Sequence, residues 1–167
     1  MAVISGDITE AINLVDTLAA GANRPTAIPF LVQFRHSLIW ANGTGAGQGN
    51  RIFYLADTAV ASTPYIINLS TIVCIDGSVG MTHVRDGLIP NDAIIDGRIL
   101  TYGGGTTPFQ PFLAGTTPTL IIPAGGVFRI PPKPLGTLGY VVSTAVNIKL
   151  DPGAVDVPFR ILLLGSS

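Results

Sequence analysis

Ile28-Pro29-Phe30-Leu31-Val32-Gln33-Phe34-Arg35-His36-Ser37-Leu38-Ile39-Trp40 places Ile28, Phe30, Val32, Phe34, His36, Leu38 and Trp40 on one parity, with Pro29, Gln33, Arg35 and Ser37 mostly on the other. An apolar period of two is a strand signature, because successive side chains leave a strand on opposite faces. Leu31 and Ile39 keep the second parity from being wholly polar. Both faces are therefore expected to be partly covered, as in a strand between two sheets or at a subunit contact.

The same grammar continues outward. Asn42-Gly-Thr-Gly-Ala-Gly-Gln-Gly-Asn50 sets glycines at alternate positions and leads into Arg51–Val60, which carries the β-formers Ile52, Phe53 and Tyr54. Further β-like runs are 65–75, 81–85, 93–102, 119–122, 127–130, 140–150 and 155–164, and Gly77, Gly80, Gly87, Pro90, Gly103 to Gly105, Pro123 to Gly126 and Asp151-Pro-Gly153 punctuate them. Roughly nine short strands separated by turn signals predict an all-β fold, an antiparallel β-sandwich of jelly-roll type. Nothing divides the chain, so residues 1–167 read as one domain, with 1–27 as an N-terminal arm. That arm has two readings. Asp7 with Glu10 resembles a capping box ahead of Ile8, Ile12, Val15 and Ala19 at helical spacing, with Gly21 to close the helix. Ile4, Ile8, Ile12, Leu14 and Leu18 share one parity and fit a strand equally well.

Composition narrows the function. Hydrophobic residues make up 47% of the chain and charged residues 11%, with a formal charge of -1, against roughly 25% charged in ordinary soluble domains. No electrostatic drive toward phosphate backbones or anionic membranes exists, so neither nucleic acid nor membrane is expected as a partner. The first residues lack the basic stretch of a signal peptide and no apolar run approaches the ~18 residues of a membrane span, which predicts a soluble, unprocessed chain. The sequons at Asn42 and Asn68 then have no secretory route to matter. So few charges cannot cover the surface of a monomer, and large exposed apolar patches mark interfaces; a homo-oligomer is expected.

Residue by residue, chemistry finds little support. Cys74, the one cysteine, lies in an apolar run and reads as a small core hydrophobe. His36 shares the parity of Phe34 and Leu38 and is expected to pack against the core, and His83 has no nucleophile elbow to serve. Asp86, Asp92 and Asp96 could form carboxylate pairs or an oxygen-ligand metal site, but each lies near Gly, Pro or Asn, where Asp caps turns, and no closing Glu follows. The Gly43–Gly49 run lacks the Lys-Ser/Thr and the register of nucleotide loops and reads as a turn or subunit contact. Gly103 to Pro108 reads as a linker, and Ile130-Pro-Pro-Lys-Pro134 as an extended arm or rigid connection. No catalytic, cofactor-binding or metal residue is assigned, no cofactor is expected, and the chain is not expected to be an enzyme.

Four blocks carry a resemblance. The Gly43-Thr-Gly-Ala-Gly-Gln48 core within Ala41–Thr58, with Asp57-Thr58 beyond it, is followed in order by Ile121-Ile-Pro-Ala-Gly-Gly-Val-Phe128. Gly139-Tyr-Val-Val-Ser-Thr-Ala145 and Phe159-Arg-Ile-Leu-Leu-Leu-Gly165 complete the series. The chain from Ala41 onward resembles small tailed-bacteriophage virion structural proteins, departing at Asn42 and Asn50, where Asp is expected, and across 93–119 and 131–134. The resemblance implies a non-enzymatic capsid decoration or cement protein, taken as a trimer, that bridges subunits of the phage major capsid protein. Such a protein would reside in the virion and assemble in the host cytoplasm. A tail, baseplate or fibre-associated adaptor is the alternative, and a depolymerase would need clustered acids such as Asp92 and Asp96.

Overall fold

The protein is described by a computed structural model over residues 6–17, 27–38, 41–113, 118–133 and 137–167. Every helix or strand element among them is a strand. The chain divides into two compact units, Met1–Ala41 and Asn42–Ser167.

The first unit contains β1 (Gly6–Thr17) and β2 (Ala27–Leu38), paired antiparallel over twelve residues each. Ile8 stands opposite His36, Ile12 opposite Val32 and Leu14 opposite Phe30. Of the two readings of the N-terminal stretch, strand holds and helix does not. Its apolar alternation matches that of β2 in register, so pairing supplies each backbone with a partner that a lone marginal helix would have to find within itself. The unit extends through β2 to Ala41, beyond residue 27, where the arm was expected to end. Ile39 and Trp40 of the strand predicted over 28–40 lie outside the described residues.

In the second unit the two-residue strand β3 (Ala41–Asn42), where the chain enters it, pairs with β4 (Gln48–Gly49) across the glycine-rich loop. Then follow β5 (Arg51–Ala59), β6 (Tyr65–Asn68), β7 (His83–Pro90), β8 (Leu100–Gly103), β9 (Thr119–Ile122), β10 (Val127–Ile130), β11 (Tyr140–Val141), β12 (Asn147–Asp151) and β13 (Val157–Ser166). One sheet has the order β10-β7-β13-β5, with β11 also on β7; the other has the order β6-β12-β8-β9. All their pairings are antiparallel, and they nest: β8 with β9, β7 with β10, β6 with β12, β5 with β13. The pairings β7–β13 and β8–β12 then seal each sheet.

These two sheets form a β-sandwich. Along β13, Val157, Phe159, Ile161 and Leu163 are buried while Arg160 and Leu162 are exposed, the period-2 pattern of a strand with one face in the core. Leu100, Tyr102, Ile122, Ile148 and Leu150 close the core from the opposite sheet. Rings bridge the layers: Tyr65 of β6 meets Phe159 of β13 edge-on at 5.0 Å, and Tyr102 of β8 lies 5.1 Å from Phe128 of β10. Edge-on and offset pairs of this kind add roughly 0.5–1.5 kcal/mol beyond area burial.

Among the described residues thirteen strands replace the nine or so expected, and the boundaries move for local reasons. Gly87, read as a break, lies inside β7, where Leu163 Cδ2 and Ile130 Cδ1 would crowd any added Cβ at 2.7 and 3.0 Å. The run 65–75 is strand only to Asn68, whose side-chain oxygen accepts from Ser70 N at 2.9 Å and turns the chain. The run 93–102 is strand only from Leu100. Its earlier part loops around buried Asn91, whose amide donates to the carbonyls of Arg98 and Ile122, both at 2.9 Å, and whose oxygen accepts from Ala93 N at 3.1 Å.

Candidate functional site

The groups that chemistry would need are dispersed and engaged. Asp86 is buried and paired with Arg129 at 3.0 Å. Asp92 accepts both arms of the Arg160 guanidinium, at 2.6 and 2.7 Å. Asp96 accepts from Gly97 N at 2.9 Å, the turn role expected of it. His83 Nδ1 lies 3.0 Å from the Thr82 hydroxyl, and burial together with nearby Arg85 holds its pKa below the ordinary histidine value. His36 takes its backbone place on β2, and the packing expected of its ring lies outside the described residues. Cys74 is buried in the core, and that burial pushes its thiol pKa up. Among the described residues no three of His, Cys, Asp and Glu group as metal ligands.

The glycine-rich loop is organised by a residue that the sequence reading passed over. Arg85 is fully buried. Its Nη1 donates to the Thr137 carbonyl at 2.7 Å, and its Nη2 to the carbonyls of Gly45 at 2.9 Å and Thr44 at 3.2 Å. Four of the loop amides are occupied: Gly43 N donates to Gly49 O, Gly45 N to Gln48 Oε1, Gly47 N to Thr137 O and Gln48 N to Gly45 O. A phosphate cradle needs converging N–H groups. Here carbonyls converge on a cation, the opposite polarity. Asn50 closes the loop, its amide donating to Ser167 Oγ and its oxygen accepting from Ser167 N, both at 3.1 Å.

A depression of about 240 Å³ lies beside β6, bordered by Pro64, Ile66, Gly105 and Lys149. Its ammonium group is 3.6 Å from the Asp151 carboxylate, so no unpaired acid or base faces the space.

Exposed apolar side chains are the prominent surface feature. Val73 and Val79 pair across a bridge at a hairpin tip and are exposed together with Ile75. On the loop before β8, Ile94 is 97% exposed and Ile95 55%. Tyr54 of β5 and Leu162 of β13 are opposite in register and both exposed on the outer face of the five-stranded sheet. Tyr54, with Arg160 nearby, is of the types enriched in protein interfaces, and exposed aliphatic side chains grouped in patches mark contact surfaces. Composition foreshadowed such patches; their positions follow from the register and from the loop around Asn91.

Comparison of the chain with family models, with curated proteins and with solved structures finds no match.

Proposed function

We propose that this chain is a non-enzymatic structural component of a tailed-phage virion, a capsid decoration protein that associates with copies of itself and bridges major capsid protein subunits. The observation that carries the reading is the surface of the second unit. Apolar groups stand exposed at a hairpin tip, on a loop and on a sheet face, while the acids that catalysis would need are tied up in ion pairs and turns. The nested strand pairs add support. We read this nesting as the jelly-roll form of the β-sandwich, an architecture that capsid proteins share with lectins, so it agrees with the proposal without fixing it. The sequence blocks at Gly43–Gln48, 121–128, 139–145 and 159–165 point to the same class of protein.

On a lattice, contacts that are individually weak add through high effective concentration, which is how apolar tips and loops would hold a capsid. Quantitative mass spectrometry of purified virions separated into heads and tails tests the reading. Copies in heads comparable in number with the major capsid protein support it. A few copies confined to tails would replace decoration with an adaptor role, and absence from both would overturn the virion assignment.

A further inference from the structure

The tripeptide Ile-Asp-Gly occurs at 75–77 and again at 95–97, and a third Asp-Gly bond joins Asp86 to Gly87. Such a bond is open to attack from within: the glycine has no side chain to shield its nitrogen, and that nitrogen reaches the Asp carboxyl by closing a five-membered ring. Sequence makes the first two bonds equivalent, and the fold does not.

Asp96 and Gly97 form an exposed turn on the loop between buried Asn91 and β8. Gly97 N donates to Asp96 Oδ1 at 2.9 Å. Among the described residues no ion pair competes for this carboxylate. The carboxyl is thus already folded back on the nitrogen that attacks it. Gly97 has a φ of +80°, and no heavy atom beyond its neighbours lies within 4 Å of where a Cβ would stand, so ring closure meets no wall.

At the twin tripeptide the same atoms are turned elsewhere. Gly77 N donates to the Cys74 carbonyl at 2.9 Å, and Asp76 Oδ1 accepts from the hydroxyl and the amide of Ser78, one residue too far on. Those bonds hold the Asp76 carboxyl below its ordinary pKa, and a carboxylate anion is a poor electrophile. Asp86 does accept from Gly87 N, at 2.8 Å, but it is paired with Arg129, and Gly87 is locked in the ladder between β10 and β13. Asp57 accepts from Thr58 N at 2.7 Å, yet that nitrogen is shielded by a branched side chain and the carboxylate is held by Tyr65.

We propose that Asp96-Gly97 is a self-modifying bond, the place where this chain isomerises to isoaspartate. Gly97 N attacks Asp96 Cγ. A C–N bond forms, the amide proton and the carboxyl hydroxyl leave together as water, and a succinimide results. Water then adds to one of the two ring carbonyls. Opening at the main-chain carbonyl routes the backbone through Cβ and Cγ as isoaspartate, and opening at Cγ restores aspartate. Reacting groups held together gain orders of magnitude over free ones. The product has one extra methylene in the main chain of the loop that bears exposed Ile94 and Ile95, so that pair is the first surface to be displaced as the protein ages. The inference concerns the chain alone and goes beyond the virion reading, which can fail without affecting it.

The test is prolonged incubation of the full chain at neutral pH, folded and in concentrated urea, followed by peptide mapping with fragmentation that distinguishes isoaspartate from aspartate. In the folded protein isoaspartate at position 96 exceeds that at 76 and at 86 by at least about tenfold. In urea, positions 76 and 96 converge, because only the shared tripeptide is left. Deamidation of Asn42 ahead of Gly43 changes the mass, which isomerisation does not, and is scored apart. Asp96→Asn gives a second readout: its carboxamide closes the same ring with loss of ammonia, so residue 96 shifts from the mass of an amide to that of an acid while near-ultraviolet circular dichroism shows the sandwich intact. Equal isoaspartate at 76 and 96 in the folded protein, a preference for 96 that persists in urea, or an Asn at 96 that keeps its amide would overturn the proposal.

Discussion

Arg85 is the extra residue that β7 inserts beside Gly165 of β13: Leu164 stands opposite Asp86 and Gly165 opposite Val84, so the register skips Arg85. A bulge bends a strand and re-aims one side chain. Here it turns a guanidinium out of the alternation and toward the carbonyls of Thr44, Gly45 and Thr137, joining two loops that are remote in sequence. Replacing Arg85 by Met keeps bulk but removes the guanidinium that ties the two loops together, leaving Thr137 O and Gly45 O to their backbone donors, Gly47 N and Gln48 N. We expect a loss of about 1.5–3 kcal/mol by urea unfolding, with amide exchange accelerated first at Gly45 and Gly47. Arg85→Lys restores part of this at most, because one ammonium cannot span carbonyls on two loops as the planar fork does. Unchanged exchange in the loop would show that Arg85 does not hold it.

Gly165 is the other half of the bulge. A Cβ there would collide with the His83 carbonyl and lie 2.6 Å from Met81 Sδ. The carbonyl belongs to a strand in the ladder and cannot withdraw without breaking the pairing. Gly165→Ala is therefore expected to cost about 1–3 kcal/mol, while Gly153→Ala, in open space, costs only the strain of its φ of +68°. Thermal unfolding of the two variants side by side separates crowding from backbone strain.

The parity of Ile28 to Leu38 was enough to read a strand, because alternation is a local property, whereas Ile8 to Leu14 fitted helix and strand alike and only the pairing with β2 decides between them. The core was legible for the same reason: Ile148 and Leu150 in 140–150, and Phe159, Ile161 and Leu163 in 155–164, are buried on alternate residues. Arg85 was not legible. Its role arises from a one-residue register shift between strands about eighty positions apart, and no local pattern encodes which carbonyls a long side chain will meet. Asn91 escaped for a similar reason, since its partners Arg98 and Ile122 are brought together by β8 and β9. The glycines of 43–49 pointed to a loop, but its polarity depended on the cation at its centre.

Tyr65 and Asp57 make a pH-bounded link. The Tyr65 hydroxyl donates to Asp57 Oδ2 at 2.6 Å. That bond, with the Thr58 amide, lowers the Asp57 pKa below 3.8, and the same bond pushes Tyr65 up from 10.0 to about 12. The depressed carboxylate stabilises the fold above its unfolded value and ceases to do so as pH falls below 3.8. The raised phenol stabilises it below 10.0 and ceases to do so as pH climbs toward about 12. The melting-temperature difference between the protein and Tyr65→Phe, which keeps the ring against Phe159, is thus expected to be level between about pH 4 and 10 and to shrink outside that window. Spectrophotometric titration of Asp57→Asn should return one tyrosine toward its ordinary range. A difference that grows above pH 10 would contradict the bond.

Ile94 and Ile95 separate binding from stability. Both are exposed, on a loop whose shape is set by buried Asn91 and by the Asp96–Gly97 turn rather than by the isoleucines themselves. Removing an exposed side chain that packs on nothing changes folding by less than about 0.5 kcal/mol, whereas removing one that fills a partner's pocket costs about 2 kcal/mol or more of binding. Ile94→Ser with Ile95→Ser should accordingly unfold at the same urea concentration as the parent and yet bind stripped phage heads at least about tenfold more weakly in a co-sedimentation assay. The same pair of measurements on Val73→Ser with Val79→Ser shows whether the hairpin tip contributes to that contact. Retained head binding in both variants would move the contact away from these tips, and a parallel loss of folding stability would mean that the exposed groups serve the fold instead.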